Sequence, residues 1–158
     1  MENEVLQKIA ERFPSVAAEQ AVVKHHRIYL SVPNELLVEA LSFCYEELNF
    51  RHLCTITGLD NGKEYELLYH ISKDDGLLLT LKRTAPYQEP VVIPTVLSIY
   101  QGATFYEREL EGLLGIKVEG LPEGRQYPLP DNWPQGEYPL RKSWKPKQAG
   151  GAGQEASV

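Results

Sequence analysis

ATFYERELEGLLGI, residues Ala103 to Ile116, decides how the rest of the chain is read. Tyr106, Leu110, Leu113 and Leu114 recur at helical spacing and make one apolar stripe. Thr104 stands three residues before Glu107, the spacing of a capping box, in which the hydroxyl accepts from the third helical N–H and the carboxylate reaches back to the cap. Gly115 follows the stripe, where a helix takes a left-handed cap. Glu107, Arg108, Glu109 and Glu111 crowd the other face. The plain reading of that face is solvated charge. The functional one makes Arg108 an interface residue, because its planar fork matches a partner's carboxylate. The chain before this helix, residues 1–116 with the helix included, reads as a compact domain. Residues 117–147 read as an extended arm.

Working back from the helix, the chain carries clear punctuation. Val5, Leu6, Ile9 and Phe13 predict a first helix from about Asn3 to Arg12, stopped by Pro14. Ala21 to Val32 alternates, with Ile28, Leu30 and Val32 on one face, and predicts one half-buried strand. Asn34 is a good N-cap for a helix lined by Leu37, Leu41, Cys44 and Leu48. Strands are expected at Arg51–Leu59, Glu64–Ser72 and Leu77–Thr84, parted by Asp60-Asn61-Gly62 and by Lys73-Asp74-Asp75-Gly76. Pro94 suits the first turn of a short helix through Tyr100. The order points to an α+β fold, with a mostly antiparallel four-stranded sheet and helices packed on one face.

Beyond Lys117 the texture changes. Pro122, Pro128, Pro130, Pro134, Pro139 and Pro146 interrupt regular structure. Tyr127, Trp133, Tyr138 and Trp144 are interleaved with them. A disordered linker is poor in aromatics, whereas these bury large areas and are enriched at interfaces. Arg141 and Lys142 lie among them and fit an interface better than catalysis. Residues 148–158 are Gly/Ala-rich and are expected to form a flexible tail.

Composition narrows the function. The 158 residues suffice for one domain with a real core. A formal net charge of -6 argues against nucleic acid, which is bound largely through Lys and Arg. No run approaches the roughly 20 apolar residues of a membrane span, and the charged N-terminus lacks the layout of a signal peptide. The expected location is therefore cytoplasmic. Cys44 and Cys54 have no metal-ligand spacing and read as reduced, small apolar groups, too few to hold an iron–sulfur cluster. Among the histidines, His25 and His26 are adjacent and so face opposite sides of a strand. His52 and His70 could meet across neighbouring strands, and with Glu107 they are the best available catalytic set. The sequence supplies no second group to position them, so no catalytic, cofactor-binding or metal-ligating residue is assigned.

YERELEGLLGI (Tyr106 to Ile116), LPDNWP (Leu129 to Pro134) and YPLRK (Tyr138 to Lys142), in that order, resemble the 30 kDa, or C-type, subunit family of NADH–quinone oxidoreductase. That family includes the related subunit of membrane-bound, energy-converting nickel–iron hydrogenases. The resemblance covers nearly the whole chain to about Lys147. It implies a structural subunit with no cofactor of its own, held at the cytoplasmic face of the membrane through its partners. Those partners would be a large [NiFe]-hydrogenase-like subunit and a small iron–sulfur subunit; [4Fe–4S] clusters, and nickel–iron in a hydrogenase, would sit in them. The implied interface comprises Tyr106, Glu107, Arg108 and Glu109 on the helix. On the arm it comprises Pro130, Trp133, Tyr138, Pro139, Leu140, Arg141, Lys142 and Trp144. Gly112 stands where quinone-reducing members usually carry an acidic residue, and Leu121 where they carry a His. These departures, with GLPEGRQYPLPDNWP, place the chain nearer the hydrogenase branch.

Overall fold

The computed structural model describes residues 1–125 and 127–146; the expected tail at 148–158 lies outside the described residues. The chain opens with α1 (Glu2–Arg12), which buries Val5 and Ile9. The stretch expected to be one strand is a hairpin, β1 (Val22–Lys24) and β2 (Arg27–Ser31). His25 and His26 form its turn, with Lys24 opposite Arg27. His26 adopts φ 55, and its N–H donates to the Glu2 carboxylate at 3.0 Å. A positive φ at a histidine carries no sequence signature comparable to Asn-Gly, so the break was not legible. A 3₁₀ turn at Asn34–Leu36 leads into α2 (Leu37–Glu46), and Asn34 makes no side-chain cap.

The three strands read from alternation are present as β3 (His52–Asp60), β4 (Glu64–Ser72) and β5 (Leu78–Pro86). β4 alternates buried and half-buried positions along its whole length. The sheet, however, is mixed and five-stranded, in the order β1-β2-β5-β4-β3, rather than four-stranded and antiparallel. β2 runs parallel to β5, with Ile28 opposite Leu79 and Leu30 opposite Leu81. The physical sign lies in β5: Leu79, Thr80 and Leu81 are buried in succession, as in a strand flanked on both sides. Reaching that position from β2 takes the crossover through α2, β3 and β4, which makes the pairing parallel.

The alternate residues Tyr65, Leu67, Tyr69 and Ile71 of β4 join the apolar stripes of all three helices in one core cluster. The expected helix at 94–100 is absent. Instead β6 (Val92–Pro94) pairs in parallel with β7 (Lys117–Glu119), burying Ile93 and Val118. Three-residue strands are too short to leave a period in the sequence.

α3 (Ala103–Leu114) is the helix of the opening stretch. Leu110 and Leu114 are buried and Tyr106 and Leu113 half-buried, as the stripe requires. Gly115 is left-handed at φ 71, and its N–H donates to Glu111 O at 3.0 Å. The capping box does not form: the N-cap is Gly102, and the Thr104 hydroxyl turns back to Gln101 O at 3.4 Å. Its intended partner, Glu107, is engaged elsewhere.

Candidate partner interface

α3 joins the domain to the arm, and its charged residues serve both. Glu107 does not lie on an outer face. It is fully buried, accepting from the Thr95 hydroxyl at 2.6 Å and from the Val96 N–H at 2.7 Å. Burial pushes its carboxyl pKa up; the Thr95 and Val96 donors pull against that rise, and the Glu111 charge adds to it. Glu107 thus ties the loop after β6 to the helix. Glu111 does the same for β7, accepting from the Val118 N–H at 3.1 Å. Glu109 stays at the surface, lining a groove with Thr55, Thr57, Leu113 and Leu140. Tyr106 donates its hydroxyl to Cys54 O at 2.8 Å.

Arg108 holds the start of the arm. Its guanidinium donates to Pro122 O at 2.8 Å and to Arg125 O at 3.3 Å. A Cβ on Gly124 would stand 2.3 Å from that guanidinium, so a larger residue there would have to displace the Arg108 side chain.

The stretch Tyr138–Lys142 is fixed on the domain mainly by its backbone and by Arg141. The Leu140 N–H donates to Leu113 O at 3.0 Å, and Arg141 Nε donates to Leu114 O at 2.6 Å. These satisfy carbonyls that the end of α3 would otherwise leave to water. Arg141 also pairs with Glu89 at 2.8 Å and lies over the Tyr138 ring at 4.4 Å. The Lys142 N–H donates to Asp60 Oδ2 at 2.8 Å. Partial burial raises the Asp60 pKa, but donors from Tyr87, Lys142 and Gly62 outweigh it and hold the carboxyl below its usual value. Trp133 and Trp144 lie 5.9 Å apart, both ring N–H groups donating to Glu137. The Trp133 N–H donates to Pro130 O at 2.9 Å, and Pro139 is half-buried.

The core stops at Val118, and among the described residues none after it is buried. Trp133, Tyr138 and Trp144 are half-buried, and three apolar side chains remain outside. Phe105 is 62%, Tyr127 44% and Leu140 52% exposed. The arm is therefore held in a defined path while contributing no residue to the core. Asp60, Glu89 and Gly124, which anchor it, were not singled out from the sequence; Asp60 signalled only a turn, and nothing local marks the others.

The alternative set of His52, His70 and Glu107 is not brought together. His70 lies opposite Thr55 and His52 opposite Ser72. His70 hydrogen-bonds the hydroxyls of Thr80 at 2.9 Å and Thr57 at 3.4 Å, and Glu107 is turned to Thr95. Among the described residues no three His, Cys, Asp or Glu side chains are grouped to hold a metal ion, and no helix is long and apolar enough to cross a membrane.

Residues 30–149 match the family described as respiratory-chain NADH dehydrogenase, 30 Kd subunit. The C subunit of the F(420)H(2) dehydrogenase of Methanosarcina mazei is 34% identical over 144 residues, 89% of this chain and 90% of that one. Membrane-bound hydrogenase subunit beta of Pyrococcus furiosus is 32% identical, over 89% of this chain and 84% of that one. Formate hydrogenlyase subunit 5 of Escherichia coli is 30% identical over 87% of this chain, but the match spans 25% of that longer chain. Among solved structures, a chain of the membrane-bound sulfane sulfur reductase, an archaeal respiratory membrane complex, superposes with a TM-score of 0.80. It is 28% identical, covering 90% of this chain and 85% of that one.

Proposed function

Because this chain belongs to the respiratory-chain NADH dehydrogenase 30 kDa subunit family, we propose that it is a structural subunit of a membrane-bound, energy-converting [NiFe] hydrogenase. It carries no cofactor of its own. It holds the large catalytic subunit, which carries the nickel–iron centre, against the small iron–sulfur subunit with its [4Fe–4S] cluster, and those centres do the redox chemistry. It sits at the cytoplasmic face of the membrane through those partners. One observation carries the reading: the arm after Val118 is pinned by Arg108, Arg141 and backbone hydrogen bonds, yet gives no buried residue to the core and leaves Tyr127 and Leu140, with Phe105 of α3 beside them, exposed. An arm already fixed in its path, with part of its apolar surface exposed, is what a preorganised docking strip needs, because its ordering cost is met before binding. The surface roles of Arg108, Glu109, Pro130, Trp133, Tyr138, Leu140, Lys142 and Trp144 are assigned on that basis. Glu107, being buried, acts by shaping the helix.

The likeness to a hydrogenase beta subunit favours the hydrogenase, and the match inside the longer formate hydrogenlyase chain fits a module that lies against a larger partner. A second reading, the C-type subunit of a complex of the NADH–quinone oxidoreductase type with the same scaffolding role, draws on the 34% identity to the C subunit of a dehydrogenase. The test is to tag the chain in its host, purify what assembles with it, and sequence those chains. A large subunit with two C-x-x-C pairs selects the hydrogenase, and one without them selects the dehydrogenase. A tagged chain that elutes alone from gently solubilised membranes would end both readings.

A further inference from the structure

Arg83 lies on β5, on the face that Leu79, Leu81 and Ala85 turn to the core. It is only 7% exposed, and its Nε has no hydrogen-bond partner. Among the described residues no carboxylate pairs with it. Beside it, the Tyr69 hydroxyl is also buried without a partner. Leu67 stands opposite Arg83 and Tyr69 opposite Leu81, so Tyr69 is the diagonal neighbour of Arg83 on the same face. Two unsatisfied donors, the Nε of a charged guanidinium and a phenol hydroxyl, thus lie side by side in the interior. An uncompensated buried charge is strongly unfavourable, and a chain that keeps one has an acceptor for it in its working state.

The acceptor has a way in. Arg83 lines a cleft of about 310 Å³ with Ala85, Gln88, Glu89, Pro90 and Val92. The register of β2 with β5 ends at Lys82, so the flank of β5 beyond it is free of that strand. Among the described residues no carboxylate is free to accept from Arg83. Glu89, the carboxylate that lines the cleft, is paired with Arg141, and Glu107 is taken by Thr95 and Val96. The walls mix apolar Ala85, Pro86, Pro90 and Val92 with the polar side chains of Gln88 and Glu89, and Val92 is left exposed. A carboxylate on an aliphatic stem meets both parts of this lining: its stem covers Pro90 and the exposed Val92, which a hydrated inorganic anion leaves open to water, and its head reaches the guanidinium.

We infer that the Arg83 cleft is a socket for an Asp or Glu side chain of a partner subunit, whose carboxylate accepts the guanidinium's free donors. The inference rests on the reading of this chain as a subunit, and it gives the partner's surface a required chemistry: one acidic side chain on a rim that also covers Val92.

The test compares wild type with Arg83→Met and Arg83→Lys in the assembled complex, purified through a tag on this chain. Arg83→Met should leave the isolated chain as stable as wild type or more so, since it removes a buried charge that has no partner there. In the complex it should weaken retention of the partner by at least about tenfold. A merely structural arginine would give the reverse, a lower Tm and unchanged assembly, and would overturn the inference. With Arg83→Lys, a carbodiimide should condense the new amine with the partner's carboxylate, forming an amide as the reagent takes up the water. Mass spectrometry would locate it. A cross-link confined to Glu89 or Glu107 of the same chain would overturn the socket, as would stabilisation of the isolated chain by inorganic phosphate alone with assembly intact. If the wild-type chain assembles and Arg83→Met assembles equally well, the socket fails while the subunit reading stands. If the wild type assembles with nothing, both fail.

Discussion

Glu107 shows how much one side chain can organise from inside a helix. Its carboxylate answers a hydroxyl and a backbone N–H from a loop twelve and eleven residues earlier, and it is fully buried. Glu107→Ala should cost about 2–3 kcal/mol, because the Val96 N–H and Thr95 hydroxyl would stay buried without an acceptor. Glu107→Gln keeps an acceptor for Val96 and should cost less than about 1 kcal/mol near neutral pH. Urea denaturation across pH 4–7 reads the charge directly. The folded-state pKa of Glu107 is raised, so the folded chain favours the protonated form. That contribution is fully present below the unfolded value of 4.5 and is lost as pH rises through the folded value. Glu107→Gln should remove this slope; an unchanged slope would refute the assignment. Gly115 is equally exacting. At φ 71 an added Cβ would be strained, and it would stand 2.5 Å from both Tyr138 and Arg141. Gly115→Ala should therefore cost at least about 1–2 kcal/mol in thermal unfolding and loosen the arm, seen as faster proteolysis between residues 127 and 146.

At the scale of elements, α3 reaches β3 through Gly58. A Cβ there would lie 2.5 Å from Leu114 and 2.6 Å from Leu110, both in the core. Gly58→Ala should destabilise by about 1–3 kcal/mol, with the denaturant midpoint falling and the slope unchanged. A neutral result would mean that the helix rides higher on the sheet than the structure has it. The elements differ in how legible they were. β4 announces itself, since Tyr65, Leu67, Tyr69 and Ile71 alternate between two strong turns. α3 does so too, through its stripe and Gly115. The pairing of β2 with β5 is invisible locally, because it depends on a crossover through three intervening elements. The β1–β2 turn hides behind two histidines, and β6 and β7 are shorter than any period. The arm was half legible: its aromatics and prolines set it apart from the domain, and the family blocks gave it a context. Its anchors are contacts between distant residues, such as Lys142 with Asp60, 82 positions apart, and spacing cannot report them.

Taken as a whole molecule, the chain is a closed domain carrying an applied strip. The last buried residue among those described is Val118, and the arm is attached by Arg108, by the Arg141 cluster and by a few backbone hydrogen bonds. A chain ending at Leu121 would lose no core residue. The carbonyls of Leu113 and Leu114 would pass from the arm to water, an exchange that costs little per bond, and the Arg141–Glu89 pair is a surface pair of small net worth. The truncated chain should therefore still unfold cooperatively, at a cost of no more than about 2–3 kcal/mol. Its assembly should fail, because the partner would meet a surface without Trp133, Tyr138, Leu140 and Trp144. Calorimetry on the isolated chain and co-purification from the host measure the two halves separately. Loss of the cooperative transition would make the arm part of the domain. Full assembly without it would move the docking surface to the sheet and to the Arg83 cleft. Only a folded chain that no longer assembles fits a strip held on the domain by two arginines and a few backbone hydrogen bonds, with Tyr127 and Leu140 left exposed for a neighbour.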